Sequence, residues 1–359
     1  MKITHYHTIA FILPVLTFIT CSCNSKSDNV SGQTSIVASE DDSIADPIVL
    51  NVDITTARPF ESHFPTASIF TIDENDEPFM GRPESMSILG DTIYAVDGFY
   101  TPGFYAYKHD GSKIFHYCSA GGGPEDVNQP RYIAVNDSTI SAFTSAPPSI
   151  AVIDRHGKFV KRIELPFTAC GAMLDPAEGY WVHFSNQEDE DVKLAWYANE
   201  TSQPTVALKV PEHLKGMTTS STGVFQNLGD GTLNYMDLYE PRIYSLRNGR
   251  CRIKYELDFN GLWPDDNTIK SRYGGDSWAN KSRDFPVFGL AATESDKWLA
   301  VTFRHNGLMY VYLYDKTGNR GSIYVDKDKS YSYPKYINGS RIYMPRQDDT
   351  IEILDLSTV

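Results

Sequence analysis

The chain has 359 residues, 41 % of them hydrophobic, which is enough to bury the core of one large domain or two ordinary ones. Its net charge of −14 at pH 7 makes it a poor partner for nucleic acid, because that binding depends on neutralising phosphates with Lys and Arg. Its 22 tyrosines and 18 phenylalanines favour β structure, in which aromatic side chains fit a half-buried pleated surface.

Residues 1–22 are typical of an export signal. The apolar run from Thr8 to Thr20 is too short to span a membrane and suits the hydrophobic part of a signal peptide. Cys23 follows a serine and resembles the lipid-modified cysteine of bacterial lipoproteins, in which acyl chains anchor the protein to a membrane. Cys21 is the weaker candidate because a threonine precedes it, and an ordinary secretory signal with incidental cysteines is the alternative.

Residues 23–47 are polar and rich in Ser and Asp, which predicts a flexible tether between the lipid and a folded domain at 48–359. The cysteines of that domain, Cys118, Cys170 and Cys251, have neither C-x-x-C nor zinc-site spacing. Each lies in or beside an apolar run, where a free cysteine behaves as a small hydrophobe. We therefore expect free thiols in preference to a disulfide or a metal site.

The rest of the chain repeats one pattern, in which two runs of alternating apolar and polar residues flank a turn. Glycines at these turns, Gly111, Gly157, Gly249 and Gly318, readily supply a positive φ. The first two lie 46 residues apart and the next lies 92 residues further on, which is two periods. A hidden unit is therefore expected near residue 203, where 193–208 supply two runs around a turn without glycine.

Each unit carries about four short strands, and the units begin near residues 83, 130, 168, 222, 286 and 334. Six such units predict an all-β, six-bladed β-propeller, whose radial repetition leaves only short edges. The last unit ends at 350–359 without a fourth strand, so we expect 66–73 to pair there and close the ring, with 47–54 in reserve. A pair of β-sandwiches is the alternative fold, although a 46-residue period is long for its turn spacing.

The junction between the first two units carries a family resemblance. Residues 121–126, GGGPED, resemble the G-x-G-P-G-E signature of six-bladed propeller lipoproteins from Bacteroidetes, also described as TolB-like six-blade propellers. Glu125 stands where that signature has a glycine, so either Glu125 or Asp126 corresponds to its acid. The resemblance covers roughly 48–359 and implies a lipoprotein of the cell envelope, in the outer membrane and either periplasmic or surface-exposed, without a catalytic residue to transfer.

The three glycines of this junction do not predict a nucleotide site. A phosphate loop needs a lysine, a hydroxyl and a following helix, whereas Pro124, Glu125, Asp126 and then a strand follow here. We interpret the stretch as a corner between blades, in which glycine gives the backbone its freedom. Glu125 and Asp126 stay candidates for ligand contact.

Arg131 and Tyr132 begin the next inner strand and are expected at the mouth of the central channel. Arg82, Arg242 and Arg304 would occupy comparable places in other blades, and a ring of arginines would bind a carboxylate through paired hydrogen bonds. Ion pairs between blades are the alternative reading of these arginines.

An insertion at 261–285 separates the fourth and fifth units and holds two of the five tryptophans. Loops on a rigid scaffold carry function, and aromatic rings beside Asp and Arg suit sugar or peptide recognition. The alternative is a loop that its tryptophans pin to the side of the propeller. Its candidates for ligand contact are Trp263, Arg272, Tyr273, Asp276 and Trp278.

No catalytic residue, cofactor or metal site is predicted. The acidic run at 188–191 lacks the pattern of a calcium loop, and the histidines beyond the leader show no metal-ligand spacing. The sequence thus predicts a membrane-anchored, non-catalytic module that binds a protein or a glycan. The alternative is a propeller enzyme, a glycan lyase or hydrolase, with acids and arginines at the channel mouth.

Overall fold

A computed structural model of the protein describes residues 46–60, 63–72, 77–118, 121, 123–187, 189–217, 224–273, 286–348 and 350–358. Within these ranges the chain forms six antiparallel sheets of four strands, two of which gain a fifth strand. The sheets are the blades of a six-bladed β-propeller, so the predicted fold class is confirmed and the pair of sandwiches is excluded. No helix of the described ranges is long and apolar enough to cross a membrane.

The strands follow one another with few interruptions. They are β1 Ile48–Asn51, β2 Arg58–Pro59, β3 Thr66–Phe70, β4 Ser85–Leu89, β5 Thr92–Asp97, β6 Gly103–Lys108, β7 Lys113–Tyr117, β8 Arg131–Val135, β9 Thr139–Ser145, β10 Pro148–Asp154, β11 Phe159–Glu164, β12 Ala169–Leu174, β13 Tyr180–Phe184, β14 Val192–Tyr197, β15 Thr205–Lys209, β16 Phe225–Asn227, β17 Leu233–Met236, β18 Arg242–Arg247, β19 Arg250–Asp258, β20 Val287–Glu294, β21 Trp298–His305, β22 Leu308–Asp315, β23 Arg320–Asp326, β24 Tyr336–Asn338, β25 Arg341–Pro345 and β26 Ile351–Asp355. The helices are α1 Asp266–Tyr273 and three single 3-10 turns, Ile54–Thr56, Glu212–Leu214 and Leu356–Thr358.

Blades one to five are β4–β7, β8–β11, β12–β15, β16–β19 and β20–β23, and blade six is β24–β26 with β3. Their inner strands begin at residues 85, 131, 169, 225, 287 and 336, each within three residues of the predicted start of its unit. The hidden unit near residue 203 is blade three, in which β14 and β15 flank a glycine-free turn. The repeat was readable although the inner strands are 38 to 62 residues apart, because every blade uses the same succession of four short strands.

The amino-terminal part of the fold runs along the outer edges of three blades. β3 is the outer strand of blade six and pairs antiparallel with β26, so the prediction that 66–73 closes the ring is confirmed. The reserve segment, 47–54, has another place: its strand β1 lies parallel to β19 as a fifth strand of blade four. Between them, β2 lies parallel to β23 of blade five.

The hairpin turns use the left-handed backbone conformation as expected at three of the four predicted glycines, with φ of +88° at Gly111, +81° at Gly157 and +72° at Gly249. In the fourth turn the expectation was wrong, because Asn319 takes the positive φ of +49° and Gly318 does not. Asparagine tolerates this conformation because its short polar side chain can hydrogen-bond locally.

The hydrophobic core is divided into clusters that lie between neighbouring blades. One cluster joins blades two, three and four around the buried Trp181, and others join four to five, five to six, six to one and one to two. The cysteines at 118, 170 and 251 form no disulfide, although Cys118 is exposed and not buried as its apolar neighbours suggested.

Strand alternation defines two faces of the propeller. The loops from each outer strand to the next inner strand, and from each second strand to the third, leave at the same end, which we call the upper face. The inner strands start at this face and line the central channel. Residues just before an inner strand and at its start therefore surround the upper end of the channel.

Candidate functional site

A small recess lies in the central channel and is the best candidate site among the described residues. Its walls come from five blades, through residues 84–86, 131–133, 225–227, 292–293 and 334–335. Its volume of ≈ 40 Å³ has room for about three water-sized groups. The recess can therefore take one functional group of a ligand but not a whole small molecule.

Tyr132 closes the recess on the side of blades three and four. Its φ of +55° is uncommon for a residue with a side chain, and it lies at a bulge in the pairing of β8 with β9. The buried ring meets Phe225 edge-on at 5.6 Å between centroids, and it lies so close to Gly171 that a Cβ there would be 2.8 Å from the ring. Burial raises the pKa of Tyr132, so this phenol stays neutral and acts as a plug.

Arg131 supplies one of two cations to the recess. The half-buried guanidinium lies over the ring of Phe99, with its central carbon 5.4 Å from the ring centroid. Burial raises the pKa of the neighbouring Cys170 thiol, and the charge of Arg131 opposes that shift. Arg131 and Glu84 both act on the pKa of Tyr132, which places their charges at the same part of the channel.

Lys335 supplies the second cation. Its Nζ donates a hydrogen bond to the backbone oxygen of Glu84 at 3.1 Å and lies 5.0 Å from the ring centroid of Tyr333. Burial lowers the pKa of this lysine to about 8, against the attraction of Glu84, and the positive charge of Arg82 lowers it further. Burial therefore disfavours the protonated form of Lys335, and a bound anion would stabilise that form.

Glu84 is the one carboxylate among the described residues that line the recess. Its Oε1 is buried and accepts no hydrogen bond from any described residue. A buried acceptor without a donor costs about 1–3 kcal/mol, and more when it is charged. The recess thus combines two cations with an acceptor that its own walls leave unused.

A buried aspartate shapes the loop above the recess. Asp97, at the end of β5, accepts hydrogen bonds from the backbone N–H groups of Arg82, Phe99, Tyr100 and Thr101, at 2.8 to 3.3 Å. These bonds fix the turn between β5 and β6 and hold it against the segment that leads to Glu84. As a result the rings of Phe99 and Tyr100 project outward, 60 % and 70 % exposed.

A third exposed aromatic residue leaves from the same face. Phe167 lies between β11 and β12, in a loop from an outer strand to an inner strand, and is 89 % exposed. Contiguous exposed apolar patches mark interaction surfaces, and Phe99 and Tyr100 are adjacent, whereas Phe167 is a single exposed ring in another loop of this face. We call the β5–β6 turn with Phe99 and Tyr100, and the β11–β12 loop with Phe167, the aromatic loops.

The glycine-rich junction does not contribute to the recess walls. The side chain of Asp126 accepts a hydrogen bond from the N–H of Gly123, and Glu125 is exposed with its backbone oxygen bound to the Tyr117 hydroxyl at 2.7 Å. Arg162 of blade two donates to the backbone oxygen of Asp126. The stretch is a braced corner between two blades, and the structure does not bring its two carboxylates together with the recess.

The insertion is fixed to the propeller at two described points. Trp263 stacks on Phe259 at 5.6 Å and packs against the cluster between blades four and five. Ile269 of α1 is buried against Leu214 and its neighbours. Arg272 and Tyr273 end α1, and their side chains lie outside the described structure; Asp276 and Trp278 lie wholly outside the described residues.

The predicted ring of arginines is only partly present. Arg82 lies beside the recess, and the exposed Arg304 acts on the pKa of Tyr333. Arg242 does not belong to it, because it begins the third strand of blade four and forms an ion pair with Glu256 at 3.1 Å. For Arg242 the alternative reading, an ion pair, describes the structure.

The acidic run at 188–191 is bound by the protein's own groups where it is described. Glu190 accepts hydrogen bonds from the Thr168 hydroxyl and the Val192 N–H, and Asp191 accepts one from Lys215 at 2.9 Å. In the part of the chain that the structure describes, no three side chains are grouped as metal ligands.

A family model described as a domain of unknown function, DUF4934, matches residues 59–355. The chain belongs to the DUF4934 family.

Solved structures support the propeller of this DUF4934 chain. It is similar to a protein from Bacteroides fragilis NCTC 9343 that is provisionally described as exported, with 14 % identity and a TM-score of 0.69 over 86 % of this chain and 98 % of that one. It is also similar to a DUF4221 family member from Bacteroides vulgatus ATCC 8482, with 8 % identity and a TM-score of 0.52 over 81 % and 97 %. At such identities the likeness shows the fold alone. No curated protein matches the chain.

Sequence reasoning missed half of the recess in this DUF4934 protein. Glu84 and Lys335 are separated by 251 residues, and each looks like an ordinary polar residue beside a proline. The position of both just before an inner strand is the signal that would have found them. Phe99 and Tyr100 lie in the β5–β6 turn between a second and a third strand, and attention to that class of turn, which opens on the same face, would have found them.

Proposed function

We propose that this DUF4934 protein is a lipid-anchored envelope propeller of the TolB-like type, which binds an acidic group of a larger molecule at the upper end of its channel. The leader at 1–22, the acylated Cys23 and the tether at 23–47 would hold the propeller at the outer membrane. The likeness to a Bacteroides propeller that is provisionally described as exported supports this placement. The partner is a protein or a glycan.

One observation carries the proposal: Arg131 and Lys335 both line the recess, and the exposed ring of Phe99 lies against Arg131, in a chain whose net charge is −14. Arginine and lysine held at a partly buried site favour a carboxylate, because charge-assisted hydrogen bonds are stronger there than in water. Exposed Phe and Tyr beside them offer contact area to the rest of the ligand.

The size of the recess weighs against catalysis within it. Small-molecule sites usually have about 300–1,000 Å³, whereas this recess has ≈ 40 Å³. A glycan lyase or hydrolase would need paired acid and base groups around an enclosed sugar. Among the described residues the recess offers Glu84 alone as a carboxylate, while the Asp126 carboxylate is bonded at the braced corner and Glu125 is exposed there. Binding is therefore the function that the geometry favours.

The test uses the full-length protein, purified in detergent, on glycan arrays and in pull-down experiments with envelope extracts. We expect acidic ligands to be retained and Lys335→Gln to lose at least tenfold in affinity. Arg242→Gln is the matched control, because it removes an upper-face cation that lies outside the recess. Equal binding by both variants would show that the recess is not the binding site.

The anchor is tested separately by labelling cells with radioactive palmitate. We expect Cys21→Ser to keep the label and Cys23→Ser to lose it. Retention of the label by Cys23→Ser would show that the lipid is attached elsewhere.

A further inference from the structure

The polar groups of the recess define the chemistry of a ligand more narrowly than its charge does. Ser85 accepts the N–H of Ile133 at 3.2 Å, and Thr293 accepts the side-chain amide of Gln226 at 2.8 Å. The oxygen of the same amide accepts the N–H of Glu294 at 2.9 Å. Ser85, Thr293 and Gln226 are thus engaged in bonds within the protein, and the charged side chains that line the recess are Arg131, Lys335 and Glu84.

The two cations need a hydrogen-bond acceptor on the ligand, whereas the carboxylate of Glu84 needs a hydrogen-bond donor. Lys335 gives one hydrogen bond to the backbone oxygen of Glu84 and has two more N–H groups to donate. The Oε1 of Glu84 is a buried acceptor that no described donor reaches. A ligand that satisfies both must therefore present a carboxylate and, within a few ångströms, a hydrogen-bond donor.

Size and surface narrow the choice further. A carboxylate has three heavy atoms and fits a recess with room for about three water-sized groups. The donor must then lie at the rim, on an atom near the carboxylate. The exposed ring of Phe99 beside Arg131 offers a flat surface next to that point, which suits the apolar face of a sugar ring.

We propose that the recess binds the terminal uronic acid of an acidic glycan; this inference rests on the proposed function and specifies its ligand. The sugar carboxylate lies between Arg131 and Lys335, and the hydroxyl on the carbon next to the one that bears it donates to Glu84. An acidic peptide could also offer a carboxylate to the two cations and a backbone N–H to Glu84. The exposed ring of Phe99 beside Arg131, which suits the apolar face of a sugar ring, is the feature that favours a sugar acid over such a peptide.

The experiment is isothermal titration of the full-length protein in detergent with four matched probes. They are an oligosaccharide ending in glucuronic acid, the same oligosaccharide ending in glucose, its 4-deoxyglucuronic acid analogue, and triglutamate. We expect the first to bind at least tenfold more tightly than each of the others. This comparison needs no variant, so it stands even if a substitution prevents folding.

Two variants assign the contacts, with thermal melting as the check on folding. Lys335→Gln is expected to remove the preference for glucuronic acid over glucose. Glu84→Gln is expected to weaken glucuronic acid binding about five- to tenfold and to leave the 4-deoxy probe unchanged, whereas Arg242→Gln changes neither.

The outcomes separate this inference from the proposed function. If triglutamate or the 4-deoxy probe binds as tightly as the glucuronic acid probe, the sugar-acid assignment is wrong. In that case a loss of binding in Lys335→Gln would still support an acid-binding recess. If none of the acidic probes depends on Lys335, both the assignment and the proposed site are wrong.

Discussion

Replacing Glu294 by glutamine is expected to destabilise the contact between blades four and five. Its carboxylate is about 1 % exposed and accepts hydrogen bonds from Asn234 at 2.7 Å, Lys254 at 2.8 Å, Tyr255 at 2.9 Å and Lys316 at 2.8 Å. The first three donors belong to blade four, and Lys316 adjoins β22 of blade five. Both blades therefore converge on one buried anion.

The magnitude follows from what Glu294→Gln leaves behind. Breaking a buried ion pair by removing one partner costs about 3–5 kcal/mol, because the other charge stays uncompensated. Lys254 and Lys316 are 23 % and 27 % exposed and can turn partly toward water, which favours the lower end. We expect a loss of about 3 kcal/mol in the free energy of unfolding at pH 7.

The same residue fixes a pH dependence. Burial alone would raise the pKa of Glu294, but the charge of Lys254 and the hydrogen bonds from both lysines and Asn234 lower it below its usual 4.5. A carboxylate with a lowered pKa stabilises the fold above the unfolded value and loses that contribution as the pH falls through the folded one. Glu294→Gln should therefore flatten the loss of stability below pH 4.5.

The assay is equilibrium unfolding in urea, followed by tryptophan fluorescence. Glu200→Gln is the control, because Glu200 pairs with Lys161 at 3.1 Å with both side chains 53 % exposed. Exposed pairs contribute about 0–1 kcal/mol. If the two variants differ by less than about 1 kcal/mol, the buried anion does not hold the blades together.

Three further predictions concern the channel and the blades around it. Gly171→Ala would place a Cβ 2.8 Å from the Tyr132 ring, so overpacking should cost about 1–3 kcal/mol in urea unfolding, and most of this cost should vanish in a Tyr132→Leu background. Burial lowers the pKa of His183 from 6.5 to about 4, so we expect about 3 kcal/mol of stability to be lost as the pH falls from 6.5 through 4, and His183→Asn to flatten a plot of melting temperature against pH. Because burial lowers the pKa of Lys335 to about 8, binding of an acidic probe should weaken between pH 7 and pH 9 in calorimetry, and Lys335→Arg should keep its affinity at pH 9.

The repeat could be predicted from the sequence because it depends on local chemistry. Alternating residues and hairpin turns recur in each blade, so the start of every inner strand could be placed within three residues. The closing strand at 66–73 followed from a missing fourth strand in the last unit. The place of β1 on blade four did not, since a short parallel strand added to an outer edge leaves no mark in the period.

The recess was harder because it is assembled across the ring. Arg131 stood out beside the glycine-rich corner, but Glu84 and Lys335 meet only once blades one and six are neighbours. The residue types of Glu84 and Lys335 did not mark them as site residues, because most lysines and glutamates lie on the solvent-exposed surface. Glu125 and Asp126 were candidates because they are acids near a corner. The side chain of Asp126 instead accepts a hydrogen bond from the Gly123 N–H and so has a structural role in that corner.

The route of β3 determines the order in which the protein can be completed. Thr66 on β3 and Glu352 on β26 form a hydrogen bond across 286 residues of sequence. A chain that emerges amino end first, during synthesis or transport, presents β3 long before its partner exists, and such distant pairings form late. Five blades can therefore assemble while the sixth stays open, and in that interval the unpaired edges of β3 and β26 are exposed to other strands. The rate at which the carboxyl-terminal strand β26 emerges would then influence how many molecules complete blade six, in addition to the stability of the finished propeller.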